Sequence, residues 1–214
     1  MKEPSGSVEP GSRSAGYRSR TAALFAVAEI VGKLASFGMF AVATRLLGPD
    51  GFGEFSWAMG LGMMVASFGM FGFDMALIQL GGAQPARTAN YLTSSIALRA
   101  VIAAVGVGVL AMWPLQQQGS KTALLLMALA LSLENISLAV RSAAGVLDRQ
   151  RGAAINIIIQ RVTIAAIAIG VLLAGGGVVG MAAAYLAGTL VGTGAMLILA
   201  HIIGASPHLR NLTW

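Results

Sequence analysis

Six stretches of the chain, each twenty residues or longer, are dominated by apolar side chains. They run about 21–47, 54–80, 90–113, 122–147, 153–174 and 178–204. About 20 residues of helix cross the roughly 30 Å hydrocarbon core of a bilayer. Helix is the only conformation that pairs every backbone group inside a single segment in lipid, so each run is predicted to be a transmembrane helix. The breaks carry turn chemistry: Gly48-Pro49-Asp50-Gly51, Gly81 to Pro85, Gln116 to Ser120, and Gly175-Gly176-Gly177. The implied fold class is all-α transmembrane, a six-helix bundle over 21–204.

Composition agrees. Only 10% of the 214 residues are charged and 57% are hydrophobic, against about 25% charged in a soluble domain. With no cysteine in the chain, disulfides, thiolate nucleophiles and Cys-based metal sites are excluded. Residues 1–20 are rich in Ser, Gly, Pro and Arg and are expected to be a disordered cytoplasmic tail; 205–214 form a cytoplasmic C-terminal end. The apolar run that follows the tail is too long for a signal peptide and has no small-residue cleavage site.

The net charge of +6 does not imply nucleic acid, because no basic face is interleaved with stacking aromatics. Lys and Arg instead gather on the cytoplasmic side of membrane proteins. With the N-terminus inside, that side holds Lys2, Arg13, Arg18, Arg20, Arg87, Arg141, Arg149, Arg151 and Arg210, and the outer side only Lys121 and Arg45. Both termini are therefore expected in the cytoplasm. Trp57, Trp113 and Phe52 fall near the expected interfaces, where aromatic belts form.

Small residues recur every four positions at Gly176, Gly180, Ala184, Gly188 and Gly192, at Ala58, Gly62 and Ala66, and at Ala100, Ala104 and Gly108. Such stripes let helices approach closely in lipid, within a bundle or between copies.

Ionisable residues deep in a span cost about 2.5–3.5 kcal/mol on insertion scales and read as functional by default. Glu29 and Lys33 are four apart on one helix face and can pair; Ser36, Phe40 and Thr44 continue that face. Arg99, Glu134 with Asn135, and Asn156, Gln160 and Arg161 are the deep polar residues of the third, fourth and fifth spans. Bland readings stand beside the functional one. Glu29–Lys33 can be a neutralised structural pair, Arg99 and Arg161 can snorkel to the surface, and Asn135 and Gln160 can be helix glue. Arg141, Arg149 and Arg151 read as orientation charges, and Asp74 as a group that reaches water or pairs with Arg87. Taken together, polar groups at depth in four spans predict one hydrated, net basic cavity suited to phosphate or pyrophosphate. His201 and His208 read as interfacial, and Asn211-Leu212-Thr213 has sequon form by chance on a cytoplasmic segment. No metal site, cofactor motif, P-loop or nucleophile elbow is present, so no catalytic residue is assigned and the chain does not read as an enzyme.

The stretch "ATRLLGPDGFGEFSWAMGLGMMVASFGMFGFDMALIQ" resembles the N-terminal part of Wzx-type oligosaccharide flippases, the polysaccharide-export branch of the superfamily that includes MATE exporters. Arg45, Leu46, Leu47, Gly48, Pro49, Phe52, Gly53 and Phe55 carry the match. "AAGVLDRQRGAAINIIIQRV" and "GGGVVGMAAAYLAGTLV" are similar to the family's fourth-to-fifth helix segment and its sixth helix. The resemblance covers roughly 20–204. It implies one six-helix lobe of a two-lobe MATE-like transporter in the bacterial plasma (inner) membrane. The implied substrate is a lipid-linked, undecaprenyl-type oligosaccharide moved by alternating access, with a second lobe and membrane lipids as partners. Lys33, Arg45, Arg99 and Arg161 are then expected to meet the diphosphate, Glu29 or Glu134 to serve as counter-charge or ion-coupling group, and Asn135, Asn156 and Gln160 to line the cavity. Such flippases have twelve or more helices, so this chain of six reads as a fragment, a half-transporter that dimerises, or one of two polypeptides, the first being favoured. A MATE-like exporter of organic cations and a non-transporting membrane scaffold are the competing functions.

Overall fold

The computed structural model describes residues 11–70, 72–114, 118–147, 150–202 and 204, with the backbone alone for 11–22, 118 and 119. Arg149, His208, Arg210 and the Asn211 sequon lie outside the described residues, as do residues 1–10 of the expected tail.

All regular structure among the described residues is helical. The elements are α1 (Gly11–Phe68), α2 (Phe73–Ala83), a 3-10 turn (Pro85–Arg87), α3 (Thr88–Met112), α4 (Gln118–Val146), α5 (Gln150–Leu173) and α6 (Gly177–Ile202). Helix begins at Gly11, within the stretch expected to be unstructured. Once an apolar helix has nucleated, each added residue gains a hydrogen bond without a further nucleation cost.

Among the described residues five helical stretches, not six, are long and apolar enough to cross a membrane, because the first runs from Ala23 to Ala83. That stretch is not one rod. Gly48 lies at φ 69°, ψ 179°, a region open essentially to glycine alone. Past it the chain doubles back: Phe40 meets Phe52 edge-on at 6.3 Å and Phe55 at 6.4 Å. In a straight helix those pairs would be separated by about 18 and 22 Å. Pro49 follows the reversal at the start of the return arm, where its missing N–H costs nothing. Asp50 and Glu54 sit near that arm's N-terminus, where negative charge suits the dipole, and Arg45 near the C-terminal end of the outgoing arm, where a cation does.

The return arm breaks a second time, which the expected span 54–80 does not anticipate. Gly72 has φ 74°, and helix resumes at Phe73. The Ala66 carbonyl accepts a hydrogen bond from Gly69 N at 2.9 Å and from Asn135 Nδ2 at 2.6 Å. Backbone left unpaired at membrane depth costs several kcal/mol, and Asn135 supplies the partner. A Cβ on Gly69 would stand 3.3 Å from that Asn135 nitrogen.

α4 is the most buried of the long helices. α6 packs on α5 and α4, the arms of α1 on α5 and α4, and α3 chiefly on α4. Two of the small-residue stripes are the closest seams. A Cβ on Gly188 would fall 2.7 Å from Ile164 Cα, and one on Gly62 3.2 Å from Ala128 Cα. The third stripe is turned outward: Ala100, Ala104 and Gly108 are exposed, and a Cβ on Gly108 would meet nothing within 4 Å. Spacing identifies a smooth face without saying what it faces.

Candidate functional site

The inner face of α1's outgoing arm, α4 and α5 enclose a groove of about 420 Å³ open on one side. α1 contributes Glu29, Lys33 and Ser36 at four- and three-residue spacing, so one helix face presents them together. α4 adds Arg141, and α5 adds Gln160 and Arg161.

Two small residues make room for this chemistry. Gly32 on α1 leaves space for the Arg161 stem, whose Cγ would lie 3.1 Å from an added Cβ. Gly192 on α6 does the same for Gln160, whose Cγ would lie 2.4 Å away. The Arg161 stem therefore runs beside α1 while its head reaches across the bundle. Arg161 Nη2 pairs with Glu134 Oε1 of α4 at 2.5 Å, and Nη1 donates to Tyr185 Oη of α6 at 3.2 Å. This triad ties α4, α5 and α6 together and keeps one edge of the guanidinium at the groove wall, with a third of the Arg161 side chain exposed.

Glu29 and Lys33 form no ion pair among the described residues, although their spacing allows one; both are exposed on the groove side. Gln160 is 2% exposed, yet its Nε2 has no hydrogen-bond partner. Arg141 Nε is likewise buried and unpartnered. Three cations, Lys33, Arg141 and Arg161, face Glu29 and the Glu134 that holds Arg161. One positive charge is left in excess at the groove. Such a set suits an oxyanion with several acceptor oxygens.

The other expected site residues lie elsewhere. Arg99 does not share the groove. Its side chain is 1% exposed and pairs with Asp74 Oδ1 at 2.7 Å, while Nη1 donates to the Asn135 carbonyl at 2.6 Å. Ser142 Oγ also reaches Asp74, at 3.1 Å. Asp74, its side chain 28% exposed, thus pairs with Arg99 rather than with Arg87, because the break at Gly72 brings the first turn of α2 against α3. The small space beside Arg99 has no room for a water molecule. Asn135 supports the helix break through Ala66 and lines the small space beside Arg99 rather than the groove. Asn156 bridges α5 and α6 through Nδ2 to the Gly192 carbonyl at 3.0 Å, beside the Ser137–Thr193 hydroxyl pair at 2.9 Å between α4 and α6. Arg45 is exposed, twelve residues or about 18 Å further along the helix than Lys33.

From sequence, Arg141 reads as an orientation charge and Tyr185 is passed over. Arg141 sits near the end of its span among arginines that read as orientation charges, and Tyr185 lies within a small-residue stripe, where a single hydroxyl leaves no periodic signal.

A family model described as "Polysaccharide biosynthesis protein" matches residues 20–212. The chain belongs to that family. It is the family of the Wzx-type flippases, whose members are transport proteins rather than catalysts. No curated protein and no solved structure matches the chain. The chain is thus a multi-pass helical membrane protein of the polysaccharide biosynthesis family.

Proposed function

We propose that this chain forms one lobe of a flippase that carries a lipid-linked oligosaccharide, of undecaprenyl type, across the bacterial plasma (inner) membrane. One observation carries the reading: Lys33, Arg141 and Arg161 line a single open groove and leave one positive charge in excess there. Lys33 and Arg161 hold the diphosphate. Glu134 is the counter-charge that competes with the substrate for Arg161, and Glu29 balances Lys33 when the groove is empty. Arg45 stands at the outer mouth, and Arg99 keeps the α1–α2 break in place and does not touch substrate.

A groove of this polarity open to lipid is costly. The reading therefore includes a second lobe, in the same or another chain, which closes the open side and rocks against this one to expose the site alternately to each face. An exporter of organic cations would instead need acidic or aromatic surfaces toward its cargo, and this groove has an excess cation.

The test is replacement of Lys33 and Arg161 by Gln, separately, in cells whose surface polysaccharide depends on this protein. Each change is expected to lower surface polysaccharide at least tenfold with membrane levels of the protein unchanged. Normal polysaccharide in both variants would overturn the assignment. A gain in susceptibility to cationic drugs with polysaccharide intact would place the protein among exporters.

A further inference from the structure

A second space adjoins the groove. About 440 Å³ in size, it lies between α1, α2 and α4 at the end of the bundle where α4 finishes and α5 begins. Arg141 lines both spaces. Its Nε is buried without a partner, and it makes no ion pair among the described residues. Among the described residues, it is the one cation that lines both. Phe25 belongs to the second space and Lys33 to the groove, eight residues apart on one helix, or about 12 Å.

We infer that this second space is a loading station for the phosphate-bearing headgroup of a prenyl lipid, and that Arg141 passes the headgroup from it to the groove. The inference rests on reading the groove as a diphosphate site. The station's chemistry is divided along its walls. Phe25, Ile78 and Val146 are apolar and suit the first isoprene units. Arg141 and the Gln150 amide are donors, the latter 3.8 Å from where a Gly145 Cβ would stand. Asp74, the nearby carboxylate, does not repel an anion there, because Arg99 and Ser142 already hold its Oδ1. The backbone is open at Gly82 and Gly145, which line the space without side chains. A headgroup leaving the station stays within reach of one guanidinium until it meets Lys33 and Arg161, so no step strands a phosphate in hydrocarbon. That continuity is what a deep, narrow membrane path requires.

The absence of cysteine from the chain makes the test direct. Gly145→Cys reports on the station and Ser36→Cys on the groove, each by its rate of alkylation in the full chain held in phosphatidylcholine nanodiscs. Farnesyl diphosphate is expected to slow alkylation about tenfold at both positions, and farnesol, with the same chain and no phosphate, at neither. Adding Arg141→Gln is expected to abolish protection at position 145, Arg141→Lys to restore part of it, and Lys33→Gln to leave it intact while removing protection at position 36. Protection at 36 without any at 145 would overturn the station and leave the groove standing. Protection at 145 alone would support the station and count against the groove as the diphosphate site. Protection at 145 by inorganic pyrophosphate but not by farnesyl diphosphate would overturn the prenyl-lipid assignment. Equal slowing by farnesol would overturn the phosphate assignment. Should Arg141→Gln fail to fold, the farnesol comparison in the otherwise unchanged Gly145→Cys chain still decides.

Discussion

Arg99 and Lys33 are both cations inside membrane spans, and nothing in the sequence separates them. Burial does. Arg99 has its side chain 1% exposed and is held by Asp74 and the Asn135 carbonyl, whereas Lys33 is exposed to a groove and unpaired among the described residues. Removing one partner from a buried ion pair leaves the other charge uncompensated, at about 3–5 kcal/mol, while replacing both by apolar groups is often neutral. Asp74→Ala is accordingly expected to destabilise the folded chain by several kcal/mol, and Asp74→Leu combined with Arg99→Met to recover most of the loss. Lys33→Gln is expected to stay within about 0.5 kcal/mol, as exposed substitutions do. Denaturant unfolding in micelles checks all three. Equal losses for Lys33→Gln and Asp74→Ala would mean that Lys33 is as structural as Arg99. The presence of deep polar residues was legible in the sequence. Their partition between a groove and a stitched helix break was not, since it depends on Gly72 turning Asp74 toward α3, a contact across 25 positions of sequence.

At the scale of elements, spacing and turn chemistry located most helix ends within a few residues, as at α3, α5 and α6. The reversal at Gly48-Pro49 was legible because Gly supplies a φ that other residues resist. Gly48→Ala is expected to cost about 1–3 kcal/mol, read as a lower unfolding midpoint. The break at Gly69–Gly72 escaped notice because its support, Asn135, lies on another helix. The small-residue stripes show the same limit. Gly188 and Gly108 belong to indistinguishable patterns, but one is pressed against Ile164 and the other touches nothing. Gly188→Val is expected to destabilise by at least about 1–3 kcal/mol, the cost of overpacking, because backbone atoms of α5 would have to move. Gly108→Val is expected to leave the unfolding midpoint unchanged. A comparable loss at Gly108 would show that the outer face of α3 is covered by a partner in the membrane.

For the whole molecule, function depends on which end of the bundle meets the cytoplasm. Arg87 precedes α3, Arg141 lies near the end of α4, and Arg151 lies near the start of α5. An antiparallel run of crossings brings these three to one end, with Lys121, near the start of α4, at the other. Following the positive-inside bias, we propose that the Arg-rich end lies in the cytoplasm. The same end carries the Arg141 space, so a headgroup made in the cytoplasm would meet Arg141 before Lys33. Two exposed positions between helices test this in a chain free of cysteine: Ala86→Cys before α3 and Pro114→Cys after it. In intact spheroplasts a membrane-impermeant maleimide is expected to label position 114 and to label position 86 only after lysis. The opposite pattern would invert the lobe. The cationic groove would keep its chemistry, but the Arg141 space would open to the outside and become an exit rather than an entrance. Labelling at both positions without lysis would mean that α3 does not cross the membrane, and the bundle described here would not be the membrane-embedded state. Orientation thus decides the direction of the path, while the groove decides what travels along it, and the two can fail independently.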